Sequence, residues 1–138
     1  MPEFSFHEEM AEIYVLQGDA AKAKANNAKL VEPRNLDNNG NLHIINAGDW
    51  CSGFFPGWLW YLYEYTGDKK WLTEAQTYSA LIESEKNNTG THDLGFEIYC
   101  SFGNGYRLTK DAAYKDVIIQ AAKSLSKRFN PTVGAIRS

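Results

Sequence analysis

Cysteine, basic charge and long apolar runs are all scarce in this 138-residue sequence, and each scarcity excludes something. The only cysteines, Cys51 and Cys100, fall in neither a metal-ligand nor a redox spacing, so both read as free buried thiols. His7, His43 and His92 are scattered, with no HExxH pattern and no carboxylate cluster at ligand spacing, and no metal or cofactor is expected. Lysine and arginine number 14 against 17 acids, a formal charge of -3, which argues against nucleic acid as a partner. That balance leaves room only for a local basic pocket. No apolar run approaches the length of a membrane span, so no membrane partner is expected. Met1-Pro2-Glu3-Phe4 lacks a basic and then apolar leader, so no signal peptide is read, and the compartment stays open between cytoplasm and periplasm.

Aromatic residues are what the chain has in plenty. They make up 14% of it, within an ordinary globular balance of 43% hydrophobic and 22% charged residues, and the length suits one domain. Tyrosine and tryptophan outnumber phenylalanine, and such rings serve both as core and as platforms on which sugars stack. The densest stretch is Asp49-Trp50-Cys51-Ser52-Gly53-Phe54-Phe55-Pro56-Gly57-Trp58, continuing through Leu59 to Tyr65. After Pro56 it reads as a helix with apolar or aromatic residues on every face, which belongs in an interior.

Spacing predicts a first helix from about Phe6 to Leu30, ended by Glu32-Pro33. Asn35 to Gly48 reads as loop, with Leu42 to Ile45 at most a short extended piece. The second helix is expected from Ser52, as N-cap, to Tyr65, with Gly67 as its left-handed C′ residue. Asp68 then caps a third, amphipathic helix to about Lys86, its stripe formed by Trp71, Ala75, Tyr78 and Ile82. A fourth helix starts near Asp93, and a fifth runs from Asp111 to about Phe129.

The chain also repeats. Thr66-Gly67-Asp68-Lys69-Lys70-Trp71 matches Thr109-Lys110-Asp111-Ala112-Ala113-Tyr114, and Gly53-Phe54 matches Gly95-Phe96. The unit is a helical hairpin of about 42 or 43 residues with one inner and one outer helix. Stacked hairpins build a solenoid or close into an α/α barrel. The fold class is therefore all-α, made of helical hairpins forming part of a toroid.

Several residues are candidates for chemistry. Asp93, at the start of an inner helix, reads either as an N-cap or as a carboxylate at the barrel mouth ready to exchange a proton. Trp50 reads either as a core ring or as a wall for a sugar, and Asp49 as a turn-forming acid or a ligand to substrate. His92 flanks Asp93 and reads as a structural hydrogen-bonder or a substrate contact.

Taken together, Asp49 to Gly57, Leu62-Tyr63-Glu64-Tyr65-Thr66-Gly67-Asp68 and His92-Asp93-Leu94-Gly95-Phe96 resemble the unsaturated glucuronyl hydrolases, glycoside hydrolase family 88. Asn130 to Ser138 resembles the stretch that follows in that family. The resemblance implies the amino-terminal portion of an (α/α)6 barrel. It implies removal of unsaturated uronic acid from lyase-generated disaccharides of glycosaminoglycan type. The bond is broken by hydration of the C4=C5 double bond, with no metal or cofactor. By the same resemblance Asp93 is the first of two essential aspartates and Trp50 an active-site tryptophan next to the uronate. The second aspartate, the acid/base of the family, is expected beyond Ser138, so the chain alone is expected to be inactive. Cys51 stands where threonine is common in the family. The exposed inner faces of the helices predict a homodimer. Competing readings are the related unsaturated rhamnogalacturonyl hydrolases and a non-catalytic helical module that binds sugars or a protein.

Overall fold

A computed structural model describes residues 30–39 and 42–138. The helix expected from Phe6 lies outside the described residues, apart from Leu30, which opens a strand. Strand β1 (Leu30–Leu36) pairs antiparallel with β2 (Leu42–Asn46) in a two-stranded sheet. Leu36 faces Leu42, Asn35 faces His43 and Glu32 faces Ile45. The stretch from Asn35 to Gly48 is thus a hairpin where a loop was expected. Its Asn and Asp content conceals the strands, and Pro33 sits where the register breaks, which is how a strand accommodates proline.

Helix α1 (Phe54–Thr66) follows a turn rather than a side-chain cap. Ser52 is not the N-cap: its hydroxyl is buried and donates to the Ala47 carbonyl at 2.7 Å, tying the turn to β2 instead. Gly67, at φ 69, closes the helix in the left-handed region as expected, its N–H reaching the Tyr63 carbonyl. Helix α2 (Lys69–Leu81) is capped by Asp68, whose carboxylate accepts from the Lys70 N–H. It stops earlier than expected, and Glu83–Asn87 continues as a 3₁₀ turn. The second inner helix begins as a π-helical segment (Gly95–Gly103) and ends as α3 (Asn104–Thr109). Helix α4 (Ala112–Ser126) is the second outer helix, followed by the short strands β3 (Phe129–Asn130) and β4 (Ala135–Ile136).

The internal repeat holds down to single hydrogen bonds. Thr66 Oγ1 donates to the Leu62 carbonyl and Thr109 Oγ1 to the Gly105 carbonyl, each at 2.7 Å. Asp111 caps α4 through the Ala113 N–H as Asp68 caps α2 through that of Lys70. Lys110, the counterpart of Gly67, takes the same left-handed backbone at φ 60, a conformation that costs a side-chain-bearing residue about 1–2 kcal/mol. Arg107 forks onto Glu64, 43 residues earlier, with both contacts at 2.6 Å, and joins the ends of the two inner helices.

Two buried clusters lie between inner and outer helices. One centres on Leu59, Trp60, Leu62, Trp71 and Tyr78, the other on Ile82, Leu94, Ile98, Phe102 and Val117. Tyr114 packs against both, at 5.9 Å from the Trp60 ring and 5.5 Å from that of Phe102. The Trp60 indole N–H donates to the buried Ser79 hydroxyl at 3.1 Å. Helix α1 is not enclosed all round, because Trp58, Tyr61 and Tyr65 are exposed along one side, as are Phe96 and Tyr99 on the π segment.

Candidate functional site

The two inner helices meet at their N-terminal ends, and the close approach is set by Gly53. A Cβ placed there would lie 2.2 Å from the carbonyl oxygens of both Phe96 and Glu97. That backbone contact brings the turn Asp49–Gly53 against the entry to the π segment. Trp50 then packs edge-on against Phe54 at 5.8 Å and against Phe96 at 6.0 Å, and Phe54 and Phe96 themselves lie 5.7 Å apart. The structure therefore brings Trp50 against Phe96, whose N–H is held by the Asp93 carbonyl, so that Trp50 and the start of the π segment share one end of the inner helices although they stand some forty residues apart in the sequence. Trp50 remains half exposed there.

Asp93 does not cap its helix. The carbonyl accepts the Phe96 and Glu97 N–H groups, but the carboxylate makes no capping hydrogen bond. Its own N–H is held by Thr91 Oγ1 at 3.0 Å, and one carboxylate oxygen faces His92 Nε2 at 3.4 Å, an ion pair whenever the imidazole is protonated. The Asp93 side chain is one-quarter exposed and that of His92 half exposed. An aspartate relieved of capping keeps acceptor sites open towards solvent.

Asp49 is engaged by its own turn. One oxygen accepts the Cys51 N–H at 3.2 Å and the Cys51 thiol at 3.0 Å, and the other meets Arg34 at 3.4 Å. Burial pushes its carboxyl upward, but the two Cys51 hydrogen bonds, Arg34 and His43 outweigh this, and the carboxyl lies below the usual aspartate value. The Cys51 thiol is pushed up to about 11 by burial and by its bond to Asp49.

Two charged residues join this neighbourhood without having been singled out in the sequence. Glu97 is buried, and neither carboxylate oxygen has a hydrogen-bond partner. Burial, reinforced by Glu85, Asp93 and Asp49, raises its carboxyl to about 8. A glutamate inside the apolar run Leu94-Gly95-Phe96-Glu97-Ile98 was a legible signal. Arg34, whose guanidinium carbon lies 6.0 Å from the Trp50 ring centroid, gave none, since only the β1–β2 hairpin carries it there. Among the described residues no group of three His, Cys, Asp or Glu side chains is placed to hold a metal, and no helix is long and apolar enough to cross a membrane.

Paired helical hairpins, each with one inner and one outer helix, are the building unit of the α/α toroid fold. No family model matches the chain. Individual proteins do. The chain is 50% identical over 98 residues to an unsaturated glucuronyl hydrolase of Formosa agariphila, covering 70% of this chain and 24% of that protein. It superimposes with a TM-score of 0.74 at 37% identity on an unsaturated glucuronyl hydrolase specific for heparin, covering 97% of this chain and 36% of that one. A mutant unsaturated glucuronyl hydrolase from Streptococcus agalactiae, complexed with dGlcA-GalNAc6S, matches with a TM-score of 0.62 at 29% identity over 71% of this chain and 27% of its own. Over the matched residues the chain is similar to the unsaturated glucuronyl hydrolases, and it spans about a quarter to a third of the length of these relatives.

Proposed function

We propose that the protein built on this chain removes unsaturated uronic acid from lyase-generated disaccharides by hydrating the C4=C5 double bond. The observation that carries this reading is the uncapped Asp93 carboxylate, paired with His92 on the same rim as the half-exposed Trp50. In this reading the unsaturated ring lies beside Trp50, where an indole face offers apolar contact to the sugar's C–H surface. Asp93 hydrogen-bonds the substrate or the partner acid, and His92 steadies it from the other side. Asp49, engaged by Cys51 and Arg34, shapes the turn that presents Trp50 and contacts substrate through what remains of its acceptor capacity.

General acid chemistry on a C=C bond needs a proton donor facing the alkene carbon and a water positioned on its neighbour. The chain supplies the Asp93 half of such an arrangement, as the amino-terminal portion of a six-hairpin barrel. The 138-residue polypeptide by itself is therefore expected to bind without turnover. Unsaturated uronates absorb in the ultraviolet through their conjugated double bond. Loss of that absorbance with unsaturated chondroitin or heparin disaccharides, catalysed by this polypeptide alone, would overturn the half-site reading. Binding that survives both Asp93→Asn and Trp50→Ala unchanged would overturn the placement of the site and favour a non-catalytic module. The exposed Trp58, Tyr61, Tyr65, Phe96 and Tyr99 further support a homodimer of this polypeptide, which light scattering tests: a monodisperse monomer at high concentration counts against it.

A further inference from the structure

Arg34 is the charged rim residue that the family resemblance leaves without a role. Strand β1 delivers it to Trp50, and one guanidinium nitrogen touches Asp49 Oδ2 at 3.4 Å. That distance is long for a charge-assisted hydrogen bond, and it engages one of the five N–H donors of the guanidinium fork. The side chain is 38% exposed, and no other hydrogen bond from it is formed among the described residues. Asp49 is meanwhile fixed from its other side by the Cys51 amide and thiol, so Arg34 rests on a stationary acid.

The local charge explains why such a cation matters. Asp49, Asp93 and Glu85 each lie near enough to Glu97 to raise its carboxyl, and Asp49 stands in the turn that carries Trp50. An anionic sugar arriving at Trp50 meets the Asp49 carboxylate, and its repulsion opposes binding unless a cation offsets it. The planar guanidinium fork of Arg34 matches the paired oxygens of carboxylate or sulfate.

We propose that Arg34 is a specificity-determining residue that recognises the anionic substituent of an acidic sugar lying against Trp50. The inference rests on the reading of this rim as a saccharide site and adds the group that selects acidic over neutral sugars. The ligand's oxygens take the unused donors of the fork, while the long contact to Asp49 keeps the guanidinium over the indole in the empty site.

The test is binding of the 138-residue chain, followed by NMR, to the unsulfated and 6-sulfated unsaturated chondroitin disaccharides and to a neutral disaccharide of equal size. Arg34→Gln is expected to weaken both acidic ligands about tenfold, to flatten the salt dependence of binding and to leave the neutral ligand unchanged. Arg34→Lys restores part of the loss. Asp49→Asn, which keeps the turn's acceptor while releasing the guanidinium, tightens the acidic ligands and guards against a hairpin that fails to form in the glutamine variant. A loss confined to the sulfated ligand assigns the contact to sulfate, and a loss on both assigns it to the carboxylate. Equal affinity of wild type and Arg34→Gln for the acidic ligands, or an equal loss on neutral and acidic ligands alike, overturns the inference. If Trp50→Leu abolishes binding while Arg34→Gln does not, the saccharide site stands and Arg34 is excluded from it. If the wild-type chain binds none of these sugars, or binds them independently of Trp50, the site reading falls and the inference with it.

Discussion

Glu97 offers a measurement of how much stability this helix junction gives up to one carboxyl group. It is buried beside the Gly53 contact with both oxygens unpartnered, and its carboxyl is raised from an ordinary 4.5 to about 8. Because the folded value lies above the unfolded one, the folded state holds the proton more tightly. The stability tied to that proton is complete below about pH 4.5 and is lost as pH rises towards 8. At about 1.4 kcal/mol per pH unit, the loss between 4.5 and neutrality reaches about 3 kcal/mol. Glu97→Met keeps an unbranched side chain of similar length and removes both the proton and the unpartnered oxygens. It is expected to stabilise the protein by about 1 kcal/mol or more at pH 5, where the neutral acid is merely unsatisfied, and by a further few kcal/mol at pH 8. Urea unfolding followed by circular dichroism at pH 5, 6, 7 and 8 gives both curves. Glu32, buried and raised in the same direction, is common to both proteins, so the difference in slope isolates Glu97. Parallel pH dependences for wild type and Glu97→Met, or a carboxyl-carbon NMR titration of Glu97 centred near its ordinary value, would refute the reasoning.

Three further outcomes follow from single contacts. Gly53→Ala drives a methyl into two backbone carbonyls that cannot step aside and should destabilise the fold by about 3 kcal/mol, visible as a lower urea midpoint and altered Phe96 and Glu97 amide shifts. Lys110→Gly should stabilise by about 1 kcal/mol and Gly67→Ala destabilise by about the same, since both positions take left-handed backbone and a Cβ at Gly67 meets nothing within 4 Å. Equal midpoints for either variant and wild type would count against a purely conformational origin. Cys51, held as a thiol by burial and by Asp49, should react with aromatic disulfides at pH 8 far more slowly than in urea, and Asp49→Asn should speed the folded-state reaction.

Much of the architecture was legible because it rests on short-range chemistry. Gly67 and the two aspartate caps, Asp68 and Asp111, act within a few residues of themselves, so their spacing alone fixed the hairpin ends. The apolar stripe Trp71, Ala75, Tyr78 and Ile82 needed only helical periodicity to declare its buried face. The repeat of about 43 residues then implied stacked hairpins, and the Arg107–Glu64 fork spans that interval. Ser52 misled because a serine before a helix is an N-cap in most settings, whereas here a carbonyl five residues upstream claims its hydroxyl.

By itself the sequence determined the four helical segments after Ser52, the close of the first of them at Gly67, and that Trp50 and Asp93 stand at corresponding places in successive hairpins. It could not determine that the Asp93 carboxylate is left uncapped, because the choice between capping and facing a ligand depends on the backbone path through Thr91 and His92. Nor could it reveal the β1–β2 hairpin, whose strands carry no regular apolar alternation, and so it gave no hint that Arg34 reaches the indole. Only the tertiary approach of two helix ends at Gly53 turned a glutamate on an apolar helix into a buried acid beside two aspartates. Local propensities are written residue by residue, whereas electrostatic neighbours are chosen by packing.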